Sequence, residues 1–204
     1  MRRPRRTDRR EPRRPSRGAS LPELVLVLGL LAIVSGGAWR TLSELRDARA
    51  SREAARGLTA DLRGVAQQAR RQRRSLAVEF DLQAPERWRV LADGNGNGIT
   101  TADVSLGIDA PQTPWTLVFR EGRARLAVTR DLPGADGTGT VPRGSTPIQL
   151  GVASRLVFTP RGTSAAGSVY VAGRGDRAYA IRVLGTTQRI RLSCLGTSGT
   201  WETC

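Results

Sequence analysis

Four sets of side chains in this 204-residue chain have the types and spacing to do chemistry. In "DGNGNG", residues 93–98, Asp93, Asn95 and Asn97 stand at alternate positions with Gly98 next. That pattern opens a calcium loop, where alternating oxygens converge on the ion and the glycine permits a sharp bend. Position twelve is Val104 rather than Glu, with Asp103 beside it, so the three residues are a candidate for weak Ca2+ binding at most. The competing reading is a Gly/Asn turn joining two strands, because these residues tolerate positive φ. No other cofactor is expected.

The second set is Arg174, Arg177, Arg182, Arg189 and Arg191, gathered towards the C-terminus. Arg182, Arg189 and Arg191 form a stripe if their strands pair, and a stripe of guanidinium groups suits salt-sensitive, non-specific contact with DNA phosphates. Alternating polar residues on exposed strands would give the same pattern. The third set is Cys194 and Cys204. In an exported chain their spacing suits a small terminal disulfide loop, whereas two thiols without His make a poor zinc site. The fourth is Glu23, the one charge in an otherwise uncharged, apolar-rich run from Ala19 to Trp39.

None of these is a nucleophile with an activating base. The chain has no His and no Lys, which removes the commonest general base and the usual amine nucleophile. A non-enzymatic protein is expected. All 33 basic residues are Arg and the net charge is +15. An all-Arg set reflects genome composition as much as ligand chemistry, so charge by itself does not identify nucleic acid as a partner. Nine of the arginines fall in residues 1–18, against Asp8 and Glu11.

The elements that must position these groups follow from the pattern. Residues 1–18 are a basic leader, and residues 19–39 have spanning length: twenty-one helical residues reach about 31 Å, the thickness of a bilayer core. Arginines ahead of the span favour a cytoplasmic N-terminus. A cleaved secretory signal ending near "SGGAW" is the alternative, but it gives Glu23 no purpose. A twin-Arg signal lacks apolar residues close behind its Arg pairs.

Residues 40–74 contain no proline, and Leu42, Leu45, Ala48, Leu58, Leu62, Val65 and Ala69 recur at three- and four-residue steps, predicting an amphipathic continuation of the helix. From 75 to 204 short segments such as "SLAVEF", "RWRVLA", "SVYVAG", "AYAIRV" and "QRIRLS" alternate with Gly, Pro and Asp clusters, predicting strands. "AYAIRV" and "QRIRL" read as half-buried antiparallel strands, and the Pro/Gly-rich stretch 131–147 as a long surface loop. The expected class is α+β, a long N-terminal helix laid on an antiparallel sheet.

The junction "GASLPELVLVLGLLAIVSG" resembles the class III leader junction of type IV pilins and type II secretion pseudopilins. The resemblance implies cleavage by a prepilin peptidase between Gly18 and Ala19, N-methylation of Ala19, and an assembly role for Glu23 as the fifth mature residue. Ala19 stands where the family usually has Phe, and Pro22 where Ile, Val or Leu is usual. Further on, Phe158, Pro160 and Gly162 followed by two strands are similar to the end of the GspH/FimT family of minor pseudopilins and minor pilins. Gln188 replaces that family's usual glycine before Arg189 and Arg191. The resemblance implies a pilin-like fold and a single-pass protein of the bacterial inner membrane with a periplasmic β-rich domain. It further implies assembly with other pilins into a pseudopilus or pilus, with DNA uptake as the alternative role.

Overall fold

The computed structural model of the chain describes residues 20–120, 122, 124–150 and 155–204, with side chains for all of these except 34–42 and 44. Its first element is helix α1, Leu21–Gln72. The chain divides into two units, Met1–Leu42 and Ser43–Cys204. In the first unit, Leu21, Leu24, Val25, Leu28 and Ile33 are all exposed, Ile33 by 76%. Among the described residues no helix is long and apolar enough to cross a membrane; the expected span, 19–39, falls partly outside them.

In the second unit the helix buries one stripe. Ala55, Leu58, Leu62, Val65 and Ala69 are at most 5% exposed, as their three- and four-residue spacing requires. Each Leu side chain so buried contributes about 1.5–3 kcal/mol. The helix stops at Arg73, whose φ is +54°. Arg73 N–H donates to the Arg70 carbonyl and Arg74 N–H to that of Ala69, the Schellman closure with an arginine at the left-handed position where glycine is usual.

Two antiparallel sheets receive the stripe. The first runs β3-β2-β1-β8, with β1 Leu76–Asp81, β2 Arg87–Ala92, β3 Thr116–Leu117 and β8 Arg155–Phe158. The second runs β12-β11-β10-β9-β4, with β7 also paired to β9. Its strands are β4 Ala124–Leu126, β7 Ile148–Gln149, β9 Gly167–Gly173, β10 Ala178–Leu184, β11 Arg189–Leu195 and β12 Trp201–Thr203. Leu76, Val78, Leu156, Phe158, Val169, Val171, Ile181 and Val183 join the helix residues in one core. The α+β class with antiparallel sheets agrees with the pattern of the sequence.

Two expectations are corrected. Strand β10 is not half-buried: Ala178 to Ile181 are all buried, because a second small core of Val128, Leu132, Val141, Tyr170, Ala178 and Ala180 covers the other face. The covering segment is the stretch read as a surface loop. Within it β5, Leu132–Pro133, and β6, Thr140–Val141, form a hairpin. The Tyr170 hydroxyl accepts from Ala135 N–H at 3.0 Å, and Trp201 Nε1 donates to the Pro133 carbonyl at 2.8 Å. Two apolar residues among many glycines were too sparse to show a period, yet they and these two aromatic contacts hold the segment down.

Candidate functional site

Three of the five arginines of that set, Arg182, Arg189 and Arg191, come together. Strands β10 and β11 pair with Arg182 opposite Arg191 and Leu184 opposite Arg189. Arg189 and Arg191 are exposed on either side of buried Ile190, so alternation puts both on the outer surface of the strand. Helix α1 adds Arg56 and Arg63 from its neighbouring flank. Together these five arginines, with Thr59, Trp201 and Glu202, line a cavity of about 910 Å3.

The cleft is partly fixed by its own hydrogen bonds. Arg63 Nη2 donates to the Ile190 carbonyl at 2.8 Å, and Arg182 Nη1 to the Ala135 carbonyl at 3.0 Å. Five arginines against one acidic side chain, Glu202, make the lining predominantly positive, a charge that attracts extended polyanions less as salt rises. Arg177 lies apart, with Arg49, Arg52 and Tyr179 around a neighbouring hollow. Arg174 pairs with Asp47 at 3.5 Å. Arg56 and Arg63 escaped the sequence reading: they lie seven residues apart beside the apolar stripe, but which sheet edge they face is a tertiary fact.

Cys194 and Cys204 are joined in a disulfide, their Cα atoms 5.2 Å apart. The bond ties the last residue of the chain to β11 and so fixes β12, the wall of the cleft that carries Glu202. Arg52 Nη2 lies 3.8 Å from the Cys194 sulfur.

The loop 93–109 is organised by carboxylates that accept backbone N–H groups. Asp93, 7% exposed, takes Asn95 and Gly96 N–H on Oδ1 and Gly98 N–H on Oδ2. Asp109, which the calcium pattern did not include, takes Gly94 and Thr100 N–H on its two oxygens. Thr100 caps the short helix α2, Thr101–Ser105: its Oγ accepts from Asp103 N–H and donates to Asp103 Oδ2, a reciprocal cap. Asn97 donates to the same oxygen. These bonds, the Asn97 amide first and then the Thr100 hydroxyl, hold the Asp103 carboxyl below its usual range. Gly96 and Gly98 have φ of +82° and +97°, and a Cβ on Gly94 would meet the Ile108 carbonyl. Asp93, Asn95 and Asn97 are thus accounted for as a turn with its backbone donors satisfied. Among the described residues no group of three or more His, Cys, Asp or Glu side chains is arranged to hold a metal ion.

Glu23 lies in the first turn of α1. Gly18 and Ala19 lie outside the described residues. Gln188 is a finding of a different kind. Its φ is +51°, so the position demands the left-handed conformation that glycine adopts without cost. Glutamine is held there because its amide donates to the carbonyls of Thr159 and Thr163, at 2.9 and 2.7 Å. These two carbonyls flank the Pro160–Gly162 turn.

Compared with known families, curated proteins and solved structures, the chain finds no match.

Proposed function

We propose that this chain is a minor pilin or pseudopilin with a pilin-like fold. It is made with a basic cytoplasmic leader, cut between Gly18 and Ala19 by a prepilin peptidase, and anchored in the bacterial inner membrane through residues 19–39. Its β-rich domain lies in the periplasm, and it assembles with other pilins into a type II secretion pseudopilus or a type IV pilus. One observation carries the reading. A single helix, Leu21–Gln72, begins with exposed apolar residues around one acid and ends with a stripe buried under antiparallel strands. An exposed apolar helix end needs a membrane or neighbouring subunits to cover it.

Glu23 is the part of that end that chooses between them. A carboxylate in a membrane helix costs about 2.5–3.5 kcal/mol on insertion scales. In a filament it would face the amine that cleavage creates on Ala19, so the cost is relieved only when subunits stack in register. Glu23→Ala tests this: the variant is expected to insert and be cut as wild type, yet to reach the filament fraction at a tenth of the wild-type level or less. Normal incorporation would contradict the role.

The arginine cleft favours a second reading, a membrane-tethered minor pilin that holds DNA during uptake. Five arginines lining one cavity suit phosphates, although few aromatic side chains stand near to stack on bases.

A further inference from the structure

Strand β11 is paired along most of one edge and along only part of the other. Arg189 to Cys194 pair with β10, whereas β12 pairs with Ser193, Cys194 and Leu195. Strand β12 is the outermost strand on that side, and the disulfide from Cys204 to Cys194 holds it over the second half of β11. Among the described residues no strand runs beside residues 189–192 on that edge.

Successive residues of a strand turn their N–H and C=O groups to opposite edges. Gly196 N–H donates to the Thr200 carbonyl across the β11–β12 turn, so counting back by twos puts Cys194, Leu192 and Ile190 on the β12 side. The Ile190 N–H and the N–H and carbonyl of Leu192 therefore turn towards the arginine cleft, which residues 189–193 line. Arg63 Nη2, 2.8 Å from the Ile190 carbonyl, stands where the N–H of a further strand would bond. An open strand edge is a template for another strand.

The side chains specify which strand fits. Arg189 and Arg191 are exposed on one face of β11, and Ile190 is buried on the other. Neither arginine is in an ion pair among the described residues. Glu53 lies one helical turn before Arg56, and Asp136 stands near Arg182, so the charge argument rests on Arg189 and Arg191. A second copy of this edge does not fit, since two β11 edges side by side would set arginine against arginine.

We propose that this edge receives an extended segment of another protein as an added strand, with acidic residues opposite Arg189 and Arg191 and apolar residues on the face of Ile190. Backbone hydrogen bonds supply the affinity and the alternating side chains the selectivity. A DNA backbone accepts hydrogen bonds and donates none, so it would leave the Leu192 carbonyl unmatched. The inference is independent of leader cleavage and of the filament.

The probe is a fluorescent peptide of alternating Glu and Val, titrated by anisotropy into the full chain in mild detergent. It should bind, and hydrogen exchange at the Ile190 and Leu192 N–H groups should slow in the complex. With Glu opposite arginine, the Val amides face β11; N-methylating them keeps the charge and should weaken binding about tenfold through the lost hydrogen bonds. Arg189→Glu/Arg191→Glu should also weaken binding about tenfold, with a thermal melt to show that the variant is folded. The methylated-peptide arm uses the wild-type chain and stands without that variant. Three results would overturn the proposal. One is no binding of the parent peptide. Another is a methylated peptide that binds as the parent does, which would reduce the cleft to a general polyanion surface. The third is a single-stranded DNA oligonucleotide of equal charge that binds more tightly than the peptide, which would return the cleft to DNA.

Discussion

Arg70, in the last turn of α1, donates from Nε to Oε1 of Gln188 at 3.0 Å. The Gln188 amide nitrogen holds the Thr159 and Thr163 carbonyls. One side chain thus links the end of the helix to the Phe158–Gly162 turn and to the start of β11, the strand that presents Arg189 and Arg191. Gln188 is thus a three-way tie, and its bonds offset the strain of a positive φ.

Gln188→Ala should therefore destabilise the fold by about 2–4 kcal/mol, from the removal of three hydrogen bonds at roughly 1 kcal/mol each with the strained φ retained. Gln188→Gly should cost less, since glycine removes the strain while giving up the same bonds. Thermal melts of the full chain check the order. An alanine variant as stable as wild type would show that the tie carries no stability.

Asp61 should make stability depend on acid in the sense opposite to a paired carboxylate. Partial burial raises its carboxyl above the usual 3.8, with Arg120 opposing more weakly, while the residue keeps an exposed face; Glu53 and Arg120 line the groove that Asp61 borders. The folded state then holds the proton more tightly than the unfolded one, so stability falls as pH rises from 3.8 through the raised value. Asp61→Asn is expected to melt higher than wild type at pH 7 and to coincide with it below pH 3.8. Equal melting temperatures at pH 7 would remove the burial argument.

If the arginine cleft holds DNA, Arg189→Ala/Arg191→Ala should weaken gel-shift affinity of the full chain for duplexes of unrelated sequence to the same degree. The log–log salt slope should fall by about 0.9 for each phosphate that the variant no longer neutralises. An unchanged slope would leave the cleft without a role in DNA binding.

Much of the framework was legible in the sequence because it rests on local periods. The apolar run 19–39 and the proline-free 3.6 pattern of residues 40–74 predicted adjoining helical segments, and the observed helix runs from Leu21 to Gln72. Segments such as "RWRVLA" and "AYAIRV" became β2 and β10 nearly residue for residue. What escaped depends on tertiary partners. Leu132 and Val141 are isolated apolar residues in a Pro/Gly stretch, and only Tyr170 and Trp201 across the sheet explain why they are buried. In the apolar run "WTLVFR", residues 115–120, only Thr116–Leu117 form a strand, since Arg87 and Trp88 of β2 are its paired residues. Of the cleft, Arg182, Arg189 and Arg191 were visible as strand residues. Arg56 and Arg63 join them only through the way the helix lies on the sheet edge. The calcium pattern and the turn use the same residues, because Asp–Gly–Asn spacing that would converge on an ion also serves to cap the N–H groups of a turn.

The central claim is that the chain is processed after Gly18. Intact-mass and N-terminal peptide spectrometry of the protein purified from membranes of its native host tests it most directly. The expected result is a mature chain that begins at N-methylated Ala19. A mature N-terminus at Trp39, or an uncut leader starting at Met1, would contradict it.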